Sequence, residues 1–431
     1  MKEKSFDDLM RTTVLGVFIF LSVFTIFYFI KLLIFAYGDN EYVDFVNYYM
    51  GAKVIKLGLG TSLYNIQFQI NRLSEILGAT PNEQILLFRA IPAAALLFIP
   101  STFFPVWVAY RIYLVLNLVT FIFIGKYFNK VLNDKYLGYL LLFSFLPIVR
   151  VFASNQLVIF FLVLYLAIYL ALKRGNTFLV GLITGLFTLK LNIFIVVATF
   201  LLFFVKDKLK YVLGLSLSFG ALLLVCLAIS GVGFPLIYLK FVMETESATY
   251  GSLLGSYFSL QPFFVSVLGW AADSAVAVVA NYAIFFISLL VVKHFAWKKA
   301  AAANAATETG ETPVTTETPE RTISLMILFS MLFGYHVFFY ESVILIIPLV
   351  FLAKKLNTKG FKTGEKNEGI NYLVLLLLSL GTLTAGFFEG LPNITKPLFL
   401  LMWLIFLLSG YNLDLFRNFF CNKNKNAKRK V

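Results

Sequence analysis

Charged residues are scarce in this 431-residue sequence: Asp, Glu, Lys and Arg make up 13% of it, whereas hydrophobic residues make up 60%. That proportion leaves too little polar surface for a soluble chain of this length. Histidine and cysteine are also scarce, with two of each, and offer no zinc constellation. Cys226, in an apolar run, and Cys421, near the end of the sequence, do not suggest a disulfide framework. No internal repeat is evident. These absences argue against a soluble enzyme, a zinc protein and a disulfide-stabilised domain.

The sequence is instead rich in apolar runs close to the length that crosses a bilayer as a helix, which is about 20 residues. This pattern predicts an all-α polytopic membrane protein with about twelve spans. The predicted spans are 12–36, 106–125, 136–151, 156–172, 177–189, 191–205, 209–230, 275–295, 322–335, 338–353, 370–388 and 396–411.

The net charge of +14 is distributed in a way that does not indicate nucleic-acid binding. Lys and Arg gather in short loops between the apolar runs and in the tail, as in proteins that follow the positive-inside rule. The short apolar piece from Pro92 to Pro100 has proline at both ends and is predicted to lie at the membrane surface or to re-enter it. If it does not cross, the basic loops at 126–135, 173–174, 206–210, 293–299, 354–366 and 417–430 all face the cytoplasm, together with both termini.

This topology predicts a single integral membrane domain over residues 1–411 and a basic cytoplasmic tail over 412–431. Two loops, 37–105 and 231–274, would face outward and carry short surface helices. Residues 297–321 are rich in Ala, Thr, Glu and Pro and are predicted to form a disordered cytoplasmic linker.

The first outer loop contains the carboxylate of greatest interest, Asp44. Apolar spacing predicts a helix from Asp44 to about Lys56, which Gly58 and Gly60 end. Tyr48 follows Asp44 by four residues and therefore shares its face. The alternative is that Asp44 only stabilises the start of the helix through the dipole. Asp39 and Glu41 precede it and could form a divalent-cation site with it, but such a cluster is more often a solvated helix start, so no metal is predicted.

Several ionisable or polar residues lie beside or within apolar runs, where a charge needs a partner or a purpose. Lys190 is predicted at the outer tip of a tight helical hairpin, where it would bind a phosphate or simply extend to the interface. Arg150 would hold a phosphate or mark a helix end. Asn155 and Gln156 would contact sugar hydroxyls or cap the next helix.

A second polar group lies between the predicted spans 322–335 and 338–353. His336 and Glu341 occur there near tyrosines, including Tyr340. A lone histidine is usually a satisfied hydrogen-bonding residue, but near a carboxylate at a cavity mouth it could handle a proton or donate to a phosphate.

Several of these stretches, in this order, resemble the polyprenyl-phosphate-mannose-dependent mannosyltransferases of glycosyltransferase family 87, which have the GT-C fold. The resemblance covers roughly residues 12–411. The matching stretches are Asp44–Tyr49 with Leu63 and Tyr64, Pro92–Pro100, Arg150–Gln156, Leu189–Lys190, Ser256–Leu268 and Tyr335–Glu341.

The resemblance implies an enzyme that moves a hexose, usually mannose, from a polyprenyl phosphate to an acceptor hydroxyl on the outer face, with inversion. No cofactor is predicted. Asp44 would be the general base, Lys190 and Arg150 would balance the departing phosphate, and His336 would assist catalysis. The other residues of the expected substrate site are Tyr48, Tyr49, Asn155, Gln156, Tyr340 and Glu341. The partners implied are the lipid-linked donor, a lipid or glycan acceptor and membrane lipids.

Two other classes of protein remain open at this stage. A transporter or flippase of lipid-linked sugars would also have many spans, but it should show repeated halves and helices broken near mid-membrane. A non-catalytic membrane scaffold would leave Asp44, Lys190 and His336 independently replaceable.

Overall fold

The computed structural model describes residues 2–35, 43–78, 86–245, 259–261, 263–264, 275–308, 318–335 and 337–363, and this part of the chain is helical. The first helices are α1 (Lys2–Phe35), α2 (Val43–Lys56), α3 (Ile66–Leu77), α4 (Pro92–Leu96), α5 (Val106–Leu132), α6 (Leu137–Ser144), α7 (Pro147–Ser154) and α8 (Val158–Lys173). The later helices are α9 (Thr177–Gly185), α10 (Leu191–Phe204), α11 (Lys208–Ser230), α12 (Phe234–Glu244), α13 (Ala275–Glu308), α14 (Pro319–Phe333) and α15 (Ile346–Thr363). Short 3₁₀ helices cover Gly60–Ser62, Ile99–Phe103, Leu186–Lys190 and Phe339–Leu345.

Five helical stretches in the described residues are long and apolar enough to cross a bilayer, and the bent pair α6 and α7 would make a sixth. The five are Thr12–Phe35, Val106–Leu132, Thr177–Phe204, Lys208–Ser230 and Val276–His294. Many large apolar side chains on α1, α5, α11 and α13 are exposed, as expected for helices that face lipid. The chain is therefore an all-α integral membrane protein.

α9 packs closely along α11, and the two helices run in the same direction. Gly181 of α9 lies against Tyr211 of α11. Gly185, one turn further along α9, lies against Ser218, which is further along α11, so the contacts advance in the same direction on both helices. A Cβ at Gly181 would lie 2.0 Å from the carbonyl oxygen of Tyr211. Only glycine therefore permits this close approach of the two backbones.

α10 runs past α11 in the opposite direction. Phe194 stacks on Phe219 with ring centroids 5.9 Å apart, and Tyr211 Oη donates a hydrogen bond to the carbonyl of Ala198 (2.9 Å). The chain therefore reverses between α9 and α10, and Lys190 lies at the reversal, as the sequence predicted. The stretch Thr177–Phe204, apolar enough for one long span, is thus a helical hairpin. Its second limb has 14 residues and is about 21 Å long at ~1.5 Å per residue, short for a bilayer core.

The turns that join α5 to α6, α8 to α9 and α10 to α11 lie at one end of the bundle, called the basic end below. They contain the basic stretches 126–135, 173–174 and 206–210. Glu320 of α14 joins three helices at this end, because it accepts a hydrogen bond from Tyr169 of α8 (2.9 Å) and pairs with Lys354 of α15 (3.5 Å). Its charge also acts on Tyr127 of α5.

The basic part of α13 lies at the same end, since Lys293 is 5.1 Å from the ring of Phe203 near the end of α10. In the described residues, the basic loops thus lie on one side, as the sequence predicted. The opposite end, called the site end below, carries α2, α3, α4, α12 and the 3₁₀ helices Leu186–Lys190 and Phe339–Leu345.

The predicted span at 136–151 corresponds to α6 and α7, which meet at 68° and therefore form a broken span or a re-entrant pair. Phe145 takes an extended conformation between them, and Pro147 begins α7. Proline lacks the N–H that would continue the hydrogen-bond ladder of α6. The bend turns α7 toward the site end.

The piece from Pro92 to Pro100 does not form a long helix. It consists of the five-residue helix α4 and the start of the 3₁₀ helix Ile99–Phe103, as expected for an element that does not cross. The predicted spans at 322–335 and 338–353 correspond to the 15-residue α14 and to a 3₁₀ turn followed by α15. The predicted spans at 370–388 and 396–411, and the tail 412–431, lie outside the described residues.

The predicted linker at 297–321 is partly wrong, because α13 continues through Glu308. The stretch after Lys299 is rich in alanine, which has the highest helix propensity, and it extends the apolar helix that precedes it. α14 then begins at Pro319, with Thr318 as its N-cap.

Candidate functional site

α2 places Asp44 at the site end. The helix extends from Val43 to Lys56, as its spacing predicted, with Asp44 in its first turn. Phe45, Val46 and Met50 are fully buried, and the helix packs on α4 and on the 3₁₀ helix Ile99–Phe103. Apolar packing on one side of the helix therefore fixes the direction in which Asp44 points.

The half-buried Asp44 interacts with polar groups from two other parts of the chain. Burial raises the pKa of Asp44 to about 6, because a carboxylate loses solvation when it is buried. A side-chain hydrogen bond with Gln156 and the charges of Lys190 and Arg150 act in the opposite direction. The result is a carboxylate that is ionised near neutral pH and is more basic than an exposed aspartate, as a general base requires.

Lys190 connects Asp44 to the 3₁₀ helix Phe339–Leu345. Its ammonium group forms an ion pair with Glu341 and lies 5.5 Å from the centre of the Tyr340 ring. Arg150 lies on α7, which packs against the same 3₁₀ helix, and its side chain is exposed. The site therefore brings together Asp44, Gln156, Lys190, Tyr340 and Glu341, with Arg150 beside them.

Tyr48 lies one turn after Asp44 and forms the apolar wall of the site. Its ring stacks on Phe98 at 4.8 Å and meets Phe88 edge to face at 5.7 Å. Its hydroxyl lies close enough to Asp44 and Tyr238 for their charges to act on it. An aromatic surface beside a carboxylate is suited to contact a sugar ring or a prenyl group.

Two predicted site residues use their polar groups within the protein. Asn155 is fully buried with φ +48°; its amide donates to the carbonyl of Tyr110 (2.9 Å), and its oxygen accepts from Asn117. The buried Tyr49 donates to the carbonyl of Phe104 (2.9 Å). Asn155 ends α7 in the left-handed conformation and so sets the direction in which the chain continues to Gln156. The hydrogen bond of Tyr49 attaches α2 to Phe104.

Arg89 is a cation near the site that the sequence reasoning missed. Gln69 accepts from the N–H of Phe88 (2.7 Å), Tyr238 donates to the carbonyl of Arg89 (2.9 Å) and Tyr64 donates to that of Ala90 (2.8 Å). Three side chains from different elements thus hold three consecutive residues, and the charge of Arg89 acts on Tyr238. An arginine within an apolar stretch was the available signal, the same one that pointed to Lys190.

The raised pKa of Asp44 predicts a pH-dependent effect on stability. The folded-state value is about 6 and the ordinary value is 3.8, so the folded state binds the proton more tightly. Ionisation of Asp44 therefore removes stability as the pH rises from about 4 to about 6. We expect Asp44→Asn to have a higher thermal midpoint than the wild type at about pH 7.5, and the two midpoints to converge toward pH 4.5.

Asp207→Asn is the matched control for this measurement. Asp207 is the N-cap of α11, and the hydrogen bond from the backbone N–H of Lys210 holds its pKa below the ordinary value. Ionisation of Asp207 therefore adds to the stability of the folded state as the pH rises. Asp207→Asn should consequently not gain stability relative to the wild type as the pH rises. If the thermal midpoints of the wild type and Asp44→Asn depend on pH in the same way, the burial of an ionised Asp44 is contradicted.

His336 of the expected site lies outside the described residues, as do Asp39 and Glu41, which the sequence suggests only as part of a cation cluster. Within the described part of the chain, no three His, Cys, Asp or Glu side chains come together as a metal site would require. The described site thus contains the carboxylate of Asp44 with its amide partner Gln156, the ion pair of Lys190 and Glu341, and the nearby Arg150.

Fold and site together define an all-α integral membrane protein with a carboxylate and cations gathered at one end of its helices. Comparisons of the chain with protein-family models, with curated proteins and with solved structures give no match.

Proposed function

We propose that this protein is an inverting glycosyltransferase of the GT-C fold. It transfers a hexose, proposed to be mannose, from a polyprenyl phosphate to a hydroxyl of a lipid or glycan acceptor. The observation that carries the proposal is the position of Asp44: a carboxylate with a pKa of about 6, hydrogen-bonded to Gln156 and near Lys190 and Arg150. A base beside cations is the set of groups that this reaction needs.

The proposed reaction is a single displacement. The acceptor oxygen forms a bond to the anomeric carbon of the sugar as the bond from that carbon to the phosphate oxygen breaks. The acceptor proton passes to Asp44, and the electron pair of the broken bond stays on the phosphate. Attack from the face opposite the phosphate inverts the anomeric configuration, and no second nucleophile is needed.

Negative charge moves from Asp44 to the leaving phosphate during this step. Lys190 and Arg150 act on Asp44 electrostatically, and they would also stabilise the charge that develops on the phosphate. The aromatic wall at Tyr48 would contact the sugar or the first prenyl units. His336 would assist at the phosphate.

The location of the polar groups favours an enzyme over a transporter of lipid-linked sugars. Asp44, Gln156, Lys190 and Glu341 lie together at the site end. A transporter is expected to hold its substrate near mid-membrane, between repeated halves. No internal repeat is evident in the sequence, although the bent pair α6 and α7 is a broken helix of the kind that transporters also have.

The proposal includes a topology of about twelve spans with both termini in the cytoplasm. The basic end would face the cytoplasm by the positive-inside rule, so the site end and the loops 37–105 and 231–274 would face outward. The donor sugar would then be used on the outer face of the membrane.

This topology predicts which residues a membrane-impermeant maleimide reaches. In a chain with Cys226→Ser and Cys421→Ser, Asn71→Cys at the site end should react in sealed right-side-out vesicles. Lys135→Cys at the basic end should react only after the vesicles are permeabilised. Both positions are exposed, so burial does not affect the comparison. The opposite labelling pattern would contradict the orientation.

The function is tested with a polyprenyl-phosphate sugar labelled in the sugar, incubated with membranes that contain the protein and with membranes that lack it. We expect the label to appear on a new lipid or glycan only when the protein is present, with release of polyprenyl phosphate. If the labelled donor instead crosses the membrane intact, the protein is a transporter and the proposal is wrong.

A further inference from the structure

The ion pair of Lys190 and Glu341 is asymmetric. The side chain of Glu341 is 2% exposed and that of Lys190 is 15% exposed. The carboxylate of Glu341 is therefore the more deeply buried partner. Lys190 is the less buried partner of the pair, and Asp44 lies near enough for their charges to interact.

Glu341 is held in place by its own turn of helix. The backbone N–H of Phe338 donates a 2.8 Å hydrogen bond to one carboxylate oxygen of Glu341, at the start of the 3₁₀ helix Phe339–Leu345. The neighbouring Tyr340 ring, which stacks on Phe338, lies beside the Lys190 ammonium group. The carboxylate is thus fixed by the backbone and by buried surroundings, so it is poorly placed to contact a substrate.

We propose that Glu341 is a positioning residue, which holds the Lys190 ammonium group where it meets the phosphate of a lipid-linked sugar donor. This inference rests on the proposed function. It changes the role expected for Glu341 from a substrate contact to a support of the cation that makes the contact.

The physical reason is the flexibility of lysine. Its ammonium group is carried on a long stem with many rotamers, and ordering that stem costs conformational entropy. A fixed carboxylate on one side orders the stem before the donor arrives and also offsets the cost of burying the charge. The remaining N–H groups of the ammonium are then available to an anion beside Asp44.

The competing explanation is that Glu341 only neutralises a buried lysine. Glu341→Asp separates the two explanations, because it keeps the negative charge but draws the carboxylate back by one methylene. Glu341→Asp should still neutralise the charge of Lys190, but it should no longer hold the Lys190 ammonium group in the same position. Glu341→Gln removes the charge but keeps the length of the side chain.

The experiment measures binding of polyprenyl phosphate, and of the uncharged polyprenol, to the full-length protein in nanodiscs. We expect Glu341→Gln and Glu341→Asp each to weaken polyprenyl phosphate binding about tenfold or more, as loss of one charge-assisted contact does. Polyprenol binding should stay unchanged, which shows that each variant is folded. Glu75→Gln, which breaks the exposed Arg72–Glu75 pair at the site end, should leave both affinities unchanged.

Wild-type affinity for the phosphate in Glu341→Asp would show that the pair only neutralises charge, and would overturn the inference while leaving the proposed function intact. Equal loss of polyprenol and polyprenyl phosphate binding in both variants would also overturn it, because the role would then be structural. If the wild type binds the phosphate no better than polyprenol, the proposed function fails and this inference fails with it.

Discussion

Asp44→Asn should abolish sugar transfer while the protein still binds its lipid-linked donor. Asparagine keeps the size of the side chain and can still hydrogen-bond to Gln156, but it cannot accept the acceptor proton. Loss of a general base typically lowers a rate by about 10²–10⁴-fold. Donor affinity should stay within a few-fold of the wild type, since Lys190 and Arg150 remain. The measurement is transfer of labelled sugar beside donor binding in the same membranes.

Asp207→Asn provides the control for this result. Asp207 caps α11 at the basic end, and asparagine is an equally good N-cap, so neither the fold nor transfer should change. Equal transfer by wild type and Asp44→Asn would show that Asp44 only stabilises the start of α2. In that case the proposed base is wrong.

The second large effect is expected at the glycines through which α9 packs against α11. A Cβ at Gly214 would lie 2.2 Å from the carbonyl oxygen of Phe178, which is backbone and cannot turn aside. Gly214→Ala should therefore separate the two helices and destabilise the protein by about 3 kcal/mol, at the upper end of the usual cost of overpacking. Because α9 leads into the reversal at Lys190, donor binding should fall as well.

Gly220→Ala is the matched control in the same helix. Nothing lies within 4 Å of a Cβ at Gly220, so alanine should leave the thermal midpoint unchanged or raise it through its higher helix propensity. The two variants are compared by thermal unfolding in detergent. Similar midpoints for Gly214→Ala and wild type would contradict the close packing of α9 on α11 and the reversal that it supports.

The features that the sequence predicted well depend on neighbouring residues. α2 begins within one residue of its predicted start, because its apolar spacing and the glycines after it are local signals. The reversal at Lys190 was predicted from a charge between two short apolar runs. The basic loops gather at one end because successive spans run in opposite directions. That alternation follows from the order of the spans in the chain.

The features that the sequence did not predict depend on contacts between distant parts of the chain. The bend between α6 and α7 needs the extended conformation of Phe145, which its sequence neighbours do not impose. The amide of Asn155 could have faced a substrate, but Tyr110 and Asn117 on α5 occupy it. Arg89 became a candidate only when Gln69, Tyr238 and Tyr64 were seen to hold its segment. The pairing of Glu341 with Lys190 joins residues far apart in the sequence.

We propose that the site end binds the phosphate of a lipid-linked sugar beside a catalytic carboxylate. The most direct test is a cryo-electron microscopy structure of the protein in nanodiscs with polyprenyl phosphate bound. We expect density for the phosphate against the Lys190 ammonium group, on the side that faces Asp44. A phosphate bound at the basic end, or at mid-membrane away from Lys190, would contradict it.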